Sequence, residues 1–135
     1  MIKLSTKWDY AVKSIIYLLN NWDCLVKISE ISTNLRLSES LLRRVIADLE
    51  RSSIITTIKW RNWWIKIWRE LNKISVYDIL SSVWEELWIT DCTKWVYCTN
   101  HDNCQTTNLY SLIQKSLFWV LKLYTLDKLI KNERN

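Results

Sequence analysis

Apolar residues recur every three or four positions over most of the chain, and one pair of short β-branched runs lies among them. Together these patterns predict a mainly α-helical fold with one small β-hairpin. The sharpest pattern is the stretch Leu35–Arg69, LRLSESLLRRVIADLERSSIITTIKWRNWWIKIWR. A short polar turn leads into apolar residues at Leu41, Leu42, Val45, Ile46 and Leu49, one face of a 3.6-residue period. Ser38 or Ser40 is suited to cap that helix, because a hydroxyl accepts from first-turn N–H groups that otherwise lack a partner. The β-branched runs Ile54–Ile58 and Ile65–Ile67 follow, joined by a basic polar tip at Lys59–Asn62. Helix, strand, basic loop, strand is the order of a winged helix-turn-helix. Its second helix enters the DNA major groove, and its wing tip reaches phosphates or the minor groove.

The other elements are read in chain order. A first helix is expected over Thr6–Asn20, with Tyr10, Val12, Ile15, Ile16 and Leu19 as its apolar stripe. A second, about Lys27–Asn34, opens the helix-turn-helix with Ile28 and Ile31 inward, and the recognition helix runs about Ser38–Ser52. Ser75–Val83 reads as a short helix with Val76, Ile79, Leu80 and Val83 on one side. Trp84–Thr106 lacks periodicity and holds three of the four cysteines, and an irregular loop of that length in a compact domain is usually functional. A helix returns over Thr107–Tyr124, with Leu109, Leu112, Ile113, Leu117, Val120 and Leu121 apolar; Thr125 can cap a last helix, Leu126–Lys131. This divides the chain into a winged helix-turn-helix (1–83), a cysteine loop (84–106) and a dimerisation helix with a tail (107–135). The late stripe is too broad for so small a core. A second copy is its natural cover, and a two-fold dimer would present two recognition helices to a palindromic duplex site.

At 135 residues the chain suits one compact domain with a dimerisation appendage. The formal net charge of +5 fits a polyanionic partner, although a soluble basic protein has the same charge. No apolar run approaches the ~18 residues of a membrane span, and the N-terminus lacks the small-residue cleavage site of a signal peptide. A cytoplasmic protein is expected. No paired carboxylates, phosphate loop or His–nucleophile pair suggests an enzyme.

The composition is abnormal in one respect: there are no glycines and ten tryptophans, where the usual ~7% would give roughly nine or ten glycines. Trp60, Trp63 and Trp64 bracket the hairpin tip, where positive φ is normally demanded, and Trp22 and Trp84 follow helix ends. A gene from a lineage that reads UGA as glycine, translated with tryptophan instead, would give this pattern. The other reading is a chain truly rich in tryptophan, its indoles stacking on bases or filling the core.

Cys92, Cys98 and Cys104 are spaced C-x5-C-x5-C in DCTKWVYCTNHDNC, and Cys24 lies far away after the first helix. Three thiols on a polar loop can converge on one soft metal centre such as an iron–sulfur cluster. Zinc is the metal alternative, although its ligands usually come in closer pairs. A disulfide is disfavoured where thiols are kept reduced.

MIKLSTKWDYAV at the start, LSESLLRRVIADLERSSII, the wing IKWRNWWIKIWRE and the C-x5-C-x5-C loop together resemble the IscR/NsrR-type winged-helix regulators over nearly the whole chain. With glycine for tryptophan the wing becomes IKGRNGGIKIGRE and the start STKGDYAV, both close to that family's motifs. The resemblance implies a homodimeric transcription factor with one iron–sulfur cluster per subunit, 2Fe–2S or 4Fe–4S. Cluster state would control DNA binding in response to nitric oxide, redox stress or cluster demand. Cys92, Cys98 and Cys104 match the family's three cysteine ligands. The fourth ligand departs from the cluster-biogenesis branch, where a His follows the third Cys by three residues; here Thr107 stands there. Asp9 matches the carboxylate that the other subunit donates in the nitric-oxide-sensing branch. His101 is an alternative, and a site with no fourth protein ligand is a third possibility. An acid at position 9 would also stabilise the start of a helix simply through its dipole.

On the DNA side, Ser38 and Ser40 can reach phosphates, and a bidentate Arg43 or Arg44 can read guanine O6 and N7. Lys59 and Arg61 on the wing suit phosphate or the minor groove. The family's cluster-biogenesis branch carries a Glu at the position of Arg43, so its sequence preference does not transfer. Two other readings stand beside the cluster sensor. One is a cluster-free regulator using its cysteines as a thiol switch or zinc site, and the other a small iron–sulfur electron carrier with a basic docking face.

Overall fold

The computed structural model describes residues 5–21, 24–58, 64–83, 88 and 104–133. Its elements are α1 (Thr6–Asn20), β1 (Val26–Lys27), α2 (Ile28–Leu35), α3 (Glu39–Arg51), β2 (Ile55–Ile58), β3 (Trp64–Ile67), a 3-10 turn (Leu71–Lys73), α4 (Val76–Ser82), α5 (Thr107–Leu123) and α6 (Leu126–Glu133). This is the expected mostly helical chain with a small antiparallel sheet.

Ser5 caps α1, its hydroxyl accepting from the Trp8 N–H. The buried face of α1 is Ala11, Ser14, Ile15 and Leu18; of the expected stripe Ile15 is buried, while Tyr10, Val12, Ile16 and Leu19 are half-buried. The helix is apolar around most of its circumference, so periodicity alone could not orient it. Ser14 can enter the core because its Oγ donates to the Tyr10 carbonyl at 2.7 Å, leaving no unsatisfied hydroxyl behind.

The helix-turn-helix closes tightly. Arg36, the C-cap of α2, takes a left-handed conformation with φ 54°. The Leu37 N–H then donates to the Ser32 carbonyl at 2.9 Å, and Ser32 Oγ donates to the Leu37 carbonyl at 2.8 Å. Ser32 thus locks the turn from both sides. At the far end of α3, Ser53 is the other described residue with positive φ, at 60°. The Ser53 N–H reaches the Glu50 carbonyl and the Ile54 N–H the Leu49 carbonyl, the two bonds of a Schellman ending. Both left-handed positions favour glycine, yet neither carries one of the tryptophans. Trp64 lies extended in β3; Trp22, Trp60, Trp63 and Trp84 lie outside the described residues.

The wing pairs as expected, Ile55 with Ile67 through Ile58 with Trp64. A third strand, β1, adds to the free side of β3 with Val26 opposite Ile65 and Lys27 opposite Trp64, giving the order β1-β3-β2. Two residues carry no detectable period, which is why the sequence shows only a hairpin. The Lys27 ammonium lies 4.8 Å from the Trp64 ring centroid, a cation–π contact across that added pair.

One core gathers these elements. Ile15 and Leu18 of α1, Ile28 and Ile31 of α2, Leu42, Val45, Ile46 and Leu49 of α3, and Ile65 of β3 are all essentially inaccessible. Each such side chain contributes roughly 1.5–3 kcal/mol relative to exposure. α4 closes one side through Ile79 and its C-cap Val83 and begins with a capping box, Ser75 and Asp78 bonding each other's backbone N–H.

α5 leaves this core. Of its described side chains only Gln114 is buried; Leu109, Leu112, Ile113, Trp119, Val120 and Leu123 are exposed. Among the described residues it is held to the domain by Phe118, edge-on to Tyr77 and Trp88 at ring distances of 5.6 and 5.5 Å, and by the Lys122 ammonium 4.7 Å from the Tyr77 ring centroid. The chain then turns back. Val76 N–H donates to the Tyr124 carbonyl and Leu126 N–H to the Ile74 carbonyl, each at 2.9 Å. This seats Leu126 in the core beside Ile74. Among the described residues no helix is long and apolar enough to cross a membrane.

Candidate functional site

The exposed side of α3 carries the polar residues that the sequence assigns to DNA. Ser38 is the N-cap by position, but its side chain makes no capping bond. Its hydroxyl lies instead 3.2 Å from that of Ser40, and both residues are exposed. The Leu42 N–H donates to the Ser38 carbonyl at 2.9 Å, the ordinary first bond of the helix, and the expected side-chain cap is not formed. Arg43 is half-buried and Arg44 exposed on the next turn. The face opposite them is the buried stripe from Leu42 to Leu49, so the arginines are held outward by the packing of the helix itself. Arg43 Nη2 meets Glu39 Oε1 at 2.7 Å. Lys59 and Arg61 lie outside the described residues; the strands that carry their loop are in register.

Sequence reading missed the residues that orient this helix. Tyr10 of α1 accepts, on its hydroxyl oxygen, the Ser38 N–H at 2.9 Å, tying the start of α3 to α1. Seven residues on, the Tyr17 hydroxyl donates to Glu30 Oε1 at 2.9 Å and accepts from Asn34 Nδ2 at 2.7 Å. Burial raises the Tyr17 phenol above its ordinary value, the Asn34 bond opposing and the Glu30 carboxylate assisting. It therefore remains a donor at neutral pH. The two tyrosines, two turns apart on one helix, anchor both helices of the DNA-binding pair. The seven-residue spacing was the available signal.

Of the cysteine set, Cys104 is described; Cys92, Cys98 and the alternative ligand His101 lie outside the described residues. Cys104 stands just before α5 with a free, half-buried thiol. The hydroxyls of Thr106 and Thr107 bring its pKa down to about 7, and Thr106 Oγ1 is 3.1 Å from the sulfur. A substantial thiolate fraction at neutral pH is what a soft metal centre requires of a ligand. Thr107, standing where the cluster-biogenesis branch has its His, thus lies beside Cys104 but offers only a hydroxyl. Asp9 projects from the first turn of α1, about half exposed, and pairs with Lys13 at 2.8 Å. Among the described residues no three His, Cys, Asp or Glu side chains group closely enough to hold a metal.

A winged helix-turn-helix with a polar outward side on α3, followed by an apolar helix that leaves the core, is an architecture suited to DNA-binding regulators. The Rrf2 family profile, described as an iron-dependent transcriptional regulator, matches residues 4–132, and the chain belongs to that family. It is 27% identical over 128 residues to the HTH-type transcriptional regulator NsrR of Oceanobacillus iheyensis, covering 93% of this chain and 87% of that one. Among solved structures, T. potens IscR superposes with a TM-score of 0.73 at 23% identity, covering 98% of this chain and 88% of that one. CymR, the global cysteine regulator of B. subtilis, superposes with a TM-score of 0.72 at 18% identity, with 98% of both chains covered. Those two likenesses concern the fold.

Proposed function

We propose that this Rrf2-family regulator works in the cytoplasm as a homodimer that binds a palindromic DNA operator, its affinity set by an iron–sulfur cluster on Cys92, Cys98 and Cys104. The observation that carries the reading is the outward polar face of α3 in the same short chain as α5, whose Leu109, Leu112, Ile113, Trp119 and Val120 are exposed. α5 of a second copy is the occupant that two-fold symmetry supplies, and it would set two α3 helices on one side of the duplex. Arg43 reads a guanine edge, Ser38, Ser40 and Arg44 hold phosphates, and Lys59 and Arg61 of the wing extend the backbone contacts.

Of the three cysteines, Cys104 is the described one, and its chemistry suits a soft metal ligand. Cys104, with Thr106 Oγ1 3.1 Å from its sulfur and its pKa lowered to about 7, would supply a thiolate just before the helix that the dimer would bury. Asp9, on the exposed first turn of α1, is the proposed fourth ligand from the other subunit, with His101 the alternative. A bound cluster would supply a centre reactive toward nitric oxide and oxidants. The protein's own part is mechanical: a carboxylate given across the dimer couples the ligand sphere to the position of α1, and Tyr10 couples α1 to the start of α3. Release of Asp9 would untie α1 from the partner's cluster loop and loosen the spacing of the two recognition helices.

The test is an anaerobic visible spectrum of the purified protein with iron and sulfide assayed on the same sample, followed by DNA binding before and after exposure to nitric oxide. Charge-transfer bands with stoichiometric iron and sulfide, and a change in DNA affinity, support the cluster sensor. A protein still colourless after anaerobic reconstitution sinks it. The same regulator would then be read as a thiol switch acting through Cys104, whose lowered pKa favours that second reading.

A further inference from the structure

We infer that Glu39 determines sequence specificity, positioning Arg43 for base reading and itself selecting an amino-bearing base beside the guanine. The inference rests on the reading of α3 as the DNA-reading helix. Glu39 is the first residue of α3, and its carboxylate accepts from Arg43 Nη2 at 2.7 Å, one turn further on. Both side chains keep nearly half of their accessible surface. A helix-start acid and an i,i+4 pair each stabilise a helix by a few tenths of a kcal/mol anywhere on a protein surface. The location of this pair argues for more.

The first turn of a recognition helix is the part that meets base edges. An unpaired carboxylate there would stand among phosphates and weaken binding to every sequence alike. Paired with Arg43, its charge is offset, and the arginine is held in one plane. A guanidinium has five N–H donors in a fixed fork, and bidentate donation to guanine O6 and N7 needs two of them. The carboxylate keeps acceptor sites. These suit the N4 amino group of cytosine or the N6 amino group of adenine and oppose guanine O6 and thymine O4. Arg44, next in the chain, has no acidic partner among the described residues and suits the sequence-independent role of a phosphate contact. The pair therefore reads a guanine next to an amino-bearing base, which neither residue would specify alone.

The experiment selects bound duplexes from a random-sequence DNA library with the full chain, as wild type, Glu39→Gln, Glu39→Ala and Arg43→Ala, and sequences them. Arg43→Ala is expected to lose the preference for guanine at one position. Glu39→Ala is expected to lose the cytosine or adenine preference at the neighbouring position by roughly five- to tenfold, with non-specific binding equal or stronger. Glu39→Gln, which keeps an acceptor oxygen but not the charge, should retain part of that preference. An unchanged melting midpoint in each variant shows that the fold is intact. If Arg43→Ala relaxes the guanine position while Glu39→Ala selects the same sequences as wild type, Glu39 is only a helix-start acid and the inference is overturned. If Arg43→Ala itself leaves every preference intact, base reading by this face is wrong, and the role given to Glu39 goes with it.

Discussion

Helices α1 and α5 are of similar length and both more than half apolar, yet they do opposite things. α1 buries Ala11, Ser14, Ile15 and Leu18 against its own domain. α5 buries Gln114 and leaves Leu112 62% and Trp119 65% exposed. An apolar period states that a face will be covered; it does not state by what. For α1 the cover lies within the chain. For α5 we propose a second copy.

This contrast can be broken most severely from the α1 side. Leu42, fully buried where α3 packs on α1, is expected to cost about 2–5 kcal/mol when changed to alanine, through lost transfer energy and the cavity left behind. Urea unfolding should show this as a lower midpoint at every protein concentration. On the α5 side, Leu112→Asp should leave the helical content of the subunit intact but convert a dimer to a monomer in sedimentation equilibrium. Each copy forfeits the roughly 1.5–3 kcal/mol that covering a leucine supplies. A variant that sediments as the wild type does would show that α5 is not the subunit contact.

Two smaller substitutions sharpen the description of the self-sufficient half. Tyr10→Phe removes the acceptor of the Ser38 N–H and should cost about 0.5–1.5 kcal/mol. It should also weaken DNA binding by more than that stability loss explains, because the start of α3 loses its tie to α1. Arg36→Gly is the mildest change and the one expected to stabilise. Relief of the left-handed conformation at φ 54° offsets the extra freedom of glycine in the unfolded chain, for a net gain of up to about 1 kcal/mol. A lowered thermal midpoint would show that the Arg36 side chain contributes a contact worth more than the strain.

The recoding hypothesis is testable against the same turns. Peptide sequencing across residues 59–69 of the native protein decides it, tryptophan there ruling it out. Its positional argument rests on turns outside the described residues, because the two observed left-handed positions hold Arg36 and Ser53. Exposed indoles at Trp68 and Trp119, and a buried Trp8 Nε1 without an acceptor among the described residues, are nonetheless unusual places for so costly a side chain.

Much of the molecule was determined by the sequence alone. The period of Leu42, Val45, Ile46 and Leu49 fixed the buried side of the recognition helix, and thereby put Arg43 and Arg44 outside. The two β-branched runs predicted the wing hairpin, and the burial of Ile65 holds its register, since slipping by one residue would turn Ile65 out of the core. The family, too, was legible in local motifs. The tertiary structure decided what local pattern cannot encode. It chose which face of α1 turns inward, because that depends on the shape of α3, against which the helix packs. It added β1, too short for any period, because β3 had an unpaired edge. It brought Tyr10 to Ser38 across 28 residues of chain, and it returned Leu126 to the core beside Ile74 after α5 had left it. Each of these rests on contacts between residues far apart in sequence, and such contacts leave no trace in a window of ten or fifteen residues.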